Sequence, residues 1–151
     1  MSPAVIQPYG GDYLCISFER ACVADAMHPG ILACPADAPL RIVAWMMATR
    51  RVHCVAVIGI AEGQGEPPVW GIVSDLDVVR SAVRTGFERT AGELALTPVV
   101  SVEASLPLRE AGELMIAHSV RHLVVVAPGS ARPIGVLSSL DVAATIAWGG
   151  Q

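Results

Sequence analysis

"GIVSDLDVVRSAV" occupies residues 71–83 and "GVLSSLDVAATIA" occupies residues 135–147. Both read Gly, two aliphatics, Ser, two residues, Asp, then an apolar-rich run. Internal self-similarity decides an architecture before any single element does, and here the repeat extends well beyond these two runs. "VADAMHPGILACPADAPLRIVAWMMATRRVHCVAVIG" (residues 23–59) aligns with "TAGELALTPVVSVEASLPLREAGELMIAHSVRHLVVVAPG" (residues 90–129). Pro29 falls on Pro98, Leu40 on Leu108, Met47 on Met115 and Gly71 on Gly135. The offset is 69 at the prolines, 68 at the leucines and 64 at the glycines. The last change falls in a Gly/Pro-rich turn, where length differences belong.

Each half carries the same local signals. Leu40, Val43, Ala44 and Met47 stand at i, i+3, i+4, i+7, the spacing of a one-faced helix, and Leu108, Ala111, Gly112 and Met115 repeat it. Pro39 and Pro107 sit near the helix starts, where proline is tolerated, with Asp37 and Ser105 two residues earlier as candidate N-caps. A β-branched run follows, then a turn, then a second apolar run (Val69–Val73; Ile134–Leu137), which reads as a hairpin. A closing helix places Leu76, Val79 and Val83 on one face, and its counterpart starts near Leu140. The expected fold is α/β (α+β): two pseudo-symmetric β-α-β-β-α repeats packed through their sheets. The expected boundaries are an arm at residues 1–22 and repeats at 23–86 and 87–151, with "YLCISF" in the arm as a candidate extra strand.

Composition narrows the function. The chain is 151 residues long, 53% hydrophobic and 16% charged, with mean hydropathy +0.54. That suits strands buried on both faces. Net charge is −4, every basic residue is arginine, and none cluster, so no nucleic-acid stripe is present. No apolar run of about 18 residues marks a membrane span, and the N-terminus lacks a signal-peptide pattern. A cytoplasmic location is expected. The cysteines Cys15, Cys22, Cys34 and Cys54 form no C-x-x-C pair and read as small apolar residues. The histidines show no metal-ligand spacing.

The repeat resembles a tandem pair of cystathionine β-synthase (CBS) domains, a Bateman module, over residues 23–148. The opening segments "VADAMHP" and "AGELALTP", the strands "VHCVAVI" and "VRHLVVV", and the two Gly-aliphatic-aliphatic-Ser-x-x-Asp runs carry the resemblance. It implies a non-catalytic regulatory module that senses an adenine nucleotide: AMP, ADP, ATP or an S-adenosylmethionine-like ligand. It also implies a homodimer acting on an effector protein in trans, with no required cofactor.

The repeated Ser-x-x-Asp has two compatible readings. As structure, Ser74/Asp77 and Ser138/Asp141 are acidic capping boxes. As a site, the helix start offers amides and partial positive charge to an anion, with Ser74 and Ser138 as phosphate donors. The resemblance gives Asp77 and Asp141 the ribose hydroxyls. It gives Arg121, His122 and His53 the phosphates, and a fixed guanidinium fork suits that task best. Cys54 replaces the histidine that His122 supplies in the second half. An adenine ring needs an apolar slot, for which Ile31, Leu32, Val99 and Val100 are candidates, although plain core explains them slightly better. Two other classes stay open. A structural CBS pair with empty, degenerate clefts is favoured by Cys54. An enzyme built on Cys54, His53 and Asp77 is disfavoured, because a thiol in an apolar strand is inert.

Overall fold

The computed structural model describes residues 16–59 and 69–149. The elements run α1 Val23–Ala26, β1 His28–Pro29, β2 Ala33–Pro35, α2 Leu40–Arg50, β3 Cys54–Ile58, β4 Val69–Ser74 and α3 Asp75–Arg84. They continue with α4 Ala91–Leu94, β5 Ser101–Glu103, α5 Leu108–His118, β6 His122–Val126, β7 Pro133–Ser138 and α6 Ser139–Trp148. The expected β-α-β-β-α order is therefore present twice, as β2-α2-β3-β4-α3 and β5-α5-β6-β7-α6.

Register makes the duplication quantitative. In each half a short strand pairs parallel to the next, which pairs antiparallel to the third. Cys54 lies opposite Ser74 as His122 lies opposite Ser138, and Val57 opposite Gly71 as Val125 opposite Gly135. Both hairpins slip register one step later, between Val57 and Ile58 and between Val125 and Val126. Helices α2 and α5 both end on a left-handed residue at the equivalent position, Arg51 and Ser119, each at φ 52°.

The opening segments cross over. Strand β1 pairs with β7, giving a second-half sheet of order β1-β7-β6-β5, and α1 packs on α5 and α6. Reciprocally, α4 packs on α2, α3, β2 and β4, and Thr97 bridges to Ile72 on β4. Each half is thus closed by the segment that opens the other.

This exchange corrects the expected caps. Asp37 lies in the turn before α2 and Ser105 in the turn before α5; the N-cap positions are Pro39 and Pro107, without side-chain capping bonds. The first free amides go instead to the crossing segments: Leu40 N donates to Arg89 O at 3.0 Å and Leu108 N to Ala21 O at 2.9 Å. A backbone carbonyl satisfies the orphan donor that a cap side chain would otherwise take.

Two helix-covered cores result. Leu40, Val43, Val55, Val57 and Val73 form one, and Val23, Leu108, Leu123, Val125 and Leu137 the other. Between the sheets lies a small third cluster, Ile72, Val124 and Val126, flanked by Ile31, Cys54, Val69 and Val99. It is the seam through which the repeats pack. Leu76, Val79 and Val83 do share a face of α3, but that face points outward, since α3 buries Asp77 and Ser81. Of the arm, Ile16 and Phe18 pack on the second core, residues 16–18 form no strand, and Tyr13, Leu14 and Cys15 of "YLCISF" lie outside the described residues. No helix among the described residues is long and apolar enough to cross a membrane.

Candidate functional site

Each Ser-x-x-Asp sits where a sheet strand becomes a helix. Ser74 N donates to Asp77 Oδ2 at 2.8 Å and Asp77 N to Ser74 Oγ at 3.2 Å. Ser138 N donates to Asp141 Oδ2 at 2.7 Å and Asp141 N to Ser138 Oγ at 3.1 Å. The capping reading therefore holds in both repeats, each cap contributing about 1 kcal/mol. It does not exhaust the carboxylates. Both aspartates are buried, and each turns an oxygen across to the segment contributed by the other repeat. His28 Nε2 meets Asp141 Oδ1 at 2.7 Å. Thr97 Oγ1 donates to Asp77 Oδ2 at 2.9 Å. His28 and Thr97 hold equivalent positions, immediately before Pro29 and Pro98. The alignment carried that signal, yet neither residue stands out by type.

The two carboxylates differ in their remaining partner. Asp77 Oδ1 also accepts from Arg80 Nη1 at 3.0 Å. Ala144 stands where Arg80 stands in the first repeat, so Asp141 has no such helix neighbour. Beside Asp77 an open groove of about 250 Å³ runs between α3 and α4, with Arg80, Arg84 and Arg89 on its walls. Arg89 also pairs loosely with Glu93 at 3.7 Å.

The expected phosphate cations occupy three environments. Arg121 is exposed at the mouth of β6, and its carbonyl accepts from Ser139 N at 2.8 Å. His53 is its equivalent, with its carbonyl accepting from Asp75 N at 2.9 Å and its ring Nδ1 on Asp75 Oδ2 at 2.9 Å. His122 is buried. Burial pulls its pKa below the usual imidazole value, with a further push from His53, against the opposing pull of Asp75 and Asp141. Burial tends to raise the Asp75 carboxyl, but the His53 hydrogen bond, the Leu76 amide and the two histidine charges outweigh it and hold the pKa low. The Cys54 thiol is pushed up to about 12, first by burial and then by Asp75 and Asp141. A thiol in that state is no nucleophile at neutral pH. Among the described residues no group of three or more His, Cys, Asp or Glu is arranged to hold a metal ion.

The four candidate slot residues divide. Ile31 and Val99 face the seam, whereas Leu32 packs on the first core and Val100 on the second. Only the first pair borders the space between the sheets.

The lowered His122 pKa makes a pH prediction. The unfolded chain takes up a proton near pH 6.5 that the folded chain refuses until lower pH. The stability involved is fully present above 6.5 and is lost as pH falls through the folded value. Stability measured by urea unfolding should drop below pH 6.5, and His122→Gln should flatten that drop. An unchanged slope in the variant would assign the acid sensitivity elsewhere.

The chain belongs to the CBS domain family: the CBS domain model matches residues 23–84 and again 91–147. Solved CBS pairs share the fold. A CBS domain protein from Pyrobaculum aerophilum complexed with AMP is 25% identical, with TM-score 0.68, over 84% of this chain and 98% of that one. The CBS domain pair of protein MJ0100, in complex with 5′-methylthioadenosine and S-adenosyl-L-methionine, is 14% identical, with TM-score 0.72, over 84% and 96%. Hypoxic Response Protein I with two coordinated zinc ions is 24% identical, with TM-score 0.64, over 82% and 98%. No curated protein matches the sequence.

Proposed function

We propose that this chain is a non-catalytic regulatory CBS pair that binds an adenine nucleotide (AMP, ADP, ATP or an S-adenosylmethionine-like ligand) and relays its occupancy to an effector protein. Residues 23–86 and 87–151 are the two working repeats, with residues 1–22 as an arm. The observation that carries the reading is the pair of buried carboxylates, each anchored by its own cap and turned across to the other repeat. At Asp141 the outer partner is the imidazole of His28, whose side chain is 68% exposed. A ribose hydroxyl can replace that donor without disturbing the cap. Asp77 offers the same site with more competition, from Thr97 and Arg80. In this reading Ser138, Ser74, Arg121, His53 and His122 donate to the phosphate oxygens. Ile31 and Val99, backed by Leu32 and Val100, would take the adenine. The AMP complex of the Pyrobaculum protein supports this ligand class.

The same proposal makes the working unit a homodimer. Ile42 and Trp45 of α2 and Leu76, Val79 and Val83 of α3 are all about half exposed or more, as are Ile116, Leu140 and Ile146 in the second half. Apolar patches of this kind on two helix pairs mark an interaction surface. The described cysteines are free thiols, which suits a reducing cytoplasm.

Thermal unfolding with AMP, ADP, ATP, S-adenosylmethionine and NAD tests the ligand. At about 100 times its dissociation constant a ligand adds roughly 2.7 kcal/mol, or a rise of about 5–10 °C for a chain of this size. The rise is expected with one nucleotide, and Asp141→Ala should remove more of it than Asp77→Ala. No shift with any ligand sinks the sensor reading. It leaves the structural pair with empty clefts, which the fully engaged Asp77 and the Cys54 replacement favour.

A further inference from the structure

The duplication supplies an internal comparison for the groove between α3 and α4. Its walls carry Arg80 and Arg84 from α3 and Arg89 from the segment that enters α4, around an opening of about 250 Å³. The equivalent positions in the second half hold Ala144, Trp148 and Ala21. The match of Arg89 to Ala21 is structural as well, since their carbonyls accept from Leu40 N and Leu108 N in the same way. The same backbone is therefore built once with none of the three guanidinium groups, and the fold does not explain their gathering in the other half.

The second half also covers the space that the first leaves open. Gly149 is the counterpart of Thr85, and a Cβ there would overlap the Ile16 carbonyl oxygen and meet Ser17 Cα at 3.2 Å. The arm thus lies over the end of α6, with Ile16 and Phe18 packed on the core. In the first half the chain that enters α4 comes straight out of α3. It turns at Gly86, with φ 85°, and residues 85–90 make the whole connection. That connection contributes Thr85 and Arg89 to the groove wall and cannot also lie across it.

Two carboxylates face the same groove. Asp77 Oδ1 takes Arg80 Nη1 at 3.0 Å, and Glu93 holds Arg89 loosely at 3.7 Å. Arg84 has no ion-pair partner among the described residues. Its place in the last turn of α3 complements the helix dipole, which accounts for one arginine and not for three. Three guanidinium groups against two carboxylates leave a net positive charge. A carboxylate ligand would only duplicate what Asp77 and Glu93 already offer. A phosphate dianion presents oxygens to both walls at once, and guanidinium forks suit it. A groove of this volume takes the head of a small molecule rather than a length of chain.

We infer that the α3/α4 groove is an anion site for the phosphate group of a small molecule, held by Arg84 and Arg89, with Arg80 steadied by Asp77. Ser74, His53, Arg121 and His122 do not line it. It is thus separate from the phosphate donors of the nucleotide reading and does not rest on that reading.

Calorimetric titration with sodium pyrophosphate at fixed ionic strength tests it. One saturable site per chain is expected. Arg84→Gln and Arg89→Gln should each weaken it about ten-fold, the effect of losing one charge-assisted contact. Both side chains are exposed, so both variants keep the fold. Arg121→Gln should leave the affinity unchanged. Binding that disappears in Arg121→Gln and survives in the other two would put the anion between the repeats and overturn the groove site. Heat that never saturates would overturn it as well. An excess of AMP then separates the two sites. Pyrophosphate that still binds beside AMP keeps the groove as a second site, and pyrophosphate displaced by AMP makes groove and cleft one site and overturns the separation. A chain that ignores AMP and still takes pyrophosphate through Arg84 and Arg89 would lose the sensor reading and keep this one.

Discussion

Ile72→Ala is expected to destabilise the protein by about 2–4 kcal/mol, the cost of truncating a fully buried aliphatic and leaving a cavity. Ile72 is 1% exposed and packs with Val124 and Val126 of the other sheet. It belongs to neither helix-covered core. Its neighbours along β4 make the distinction plain: Val73 faces the first core, while Ile72 faces the seam. The measurable consequence is a pattern of coupling. Residues in contact give non-additive double mutants, and distant ones add. Ile72→Ala with Val124→Ala should cost less than the sum of the two, because both open the same cavity. Ile72→Ala with Leu108→Ala should be additive, because Leu108 lies in the second core. At about 2–4 °C per kcal/mol, each single change is large enough for a thermal scan to read. A loss below about 1 kcal/mol, or additivity with Val124, would show that the sheets are held together by the crossed opening segments rather than by the seam.

Much of this arrangement was legible in the chain because duplication writes the same message twice. The Ser-x-x-Asp spacing predicted capping boxes, and the boxes are there. The 3.6-residue spacing of Leu40, Val43 and Met47 and of Leu108, Ala111 and Met115 marked the buried faces of α2 and α5 correctly. The same rule identified the apolar face of α3 and could not say that it points outward, because periodicity finds a stripe without saying what lies against it. There the inward face is carried by Asp77 and Ser81. Their polar atoms are satisfied by Ser74, Thr97, Arg80, Thr85 and the Gly86 carbonyl. The capping of α2 and α5 was missed for a related reason. Local rules look for a side chain within a turn of the helix start, and here the acceptors are Arg89 and Ala21 carbonyls from crossing segments. A repeat alignment is blind to such an exchange, since the sequence boundaries are the same whether each opening segment folds on its own half or on the other. The site was half legible on the same account: its anchors lie within one turn of each other, and its outer partners, His28 and Thr97, arrive from the other repeat.

The crossing also decides what the two conserved-in-both-halves glycines do, and an alanine at each should separate their roles. Gly135 lies opposite Pro29 in the pairing of β1 with β7, and a Cβ there would overlap the His28 carbonyl oxygen, with Met27 Sδ at 3.4 Å beyond it. Gly71 is its equivalent, but a Cβ there would meet the Ala95 methyl at 2.8 Å and Val57 Cβ at 3.6 Å. Forcing a methyl into either site costs about 1–3 kcal/mol. The obstacles differ in kind. At Gly71 it is a side chain, so Ala95→Gly should return most of the stability lost in Gly71→Ala, less the few tenths to 1 kcal/mol that a new glycine costs in backbone entropy. At Gly135 it is backbone, and no side-chain change can clear it. Strand β1 must move off β7, carrying His28 away from Asp141. Gly135→Ala should therefore change the His28 ring signals in the NMR spectrum of the empty protein, and Gly71→Ala should leave them in place. If Ala95→Gly fails to rescue Gly71→Ala, α4 does not approach β4 at that point. If His28 keeps its Asp141 partner in Gly135→Ala, β1 is anchored by more than its pairing with β7, and the outer donor at Asp141 is harder for a ligand to displace.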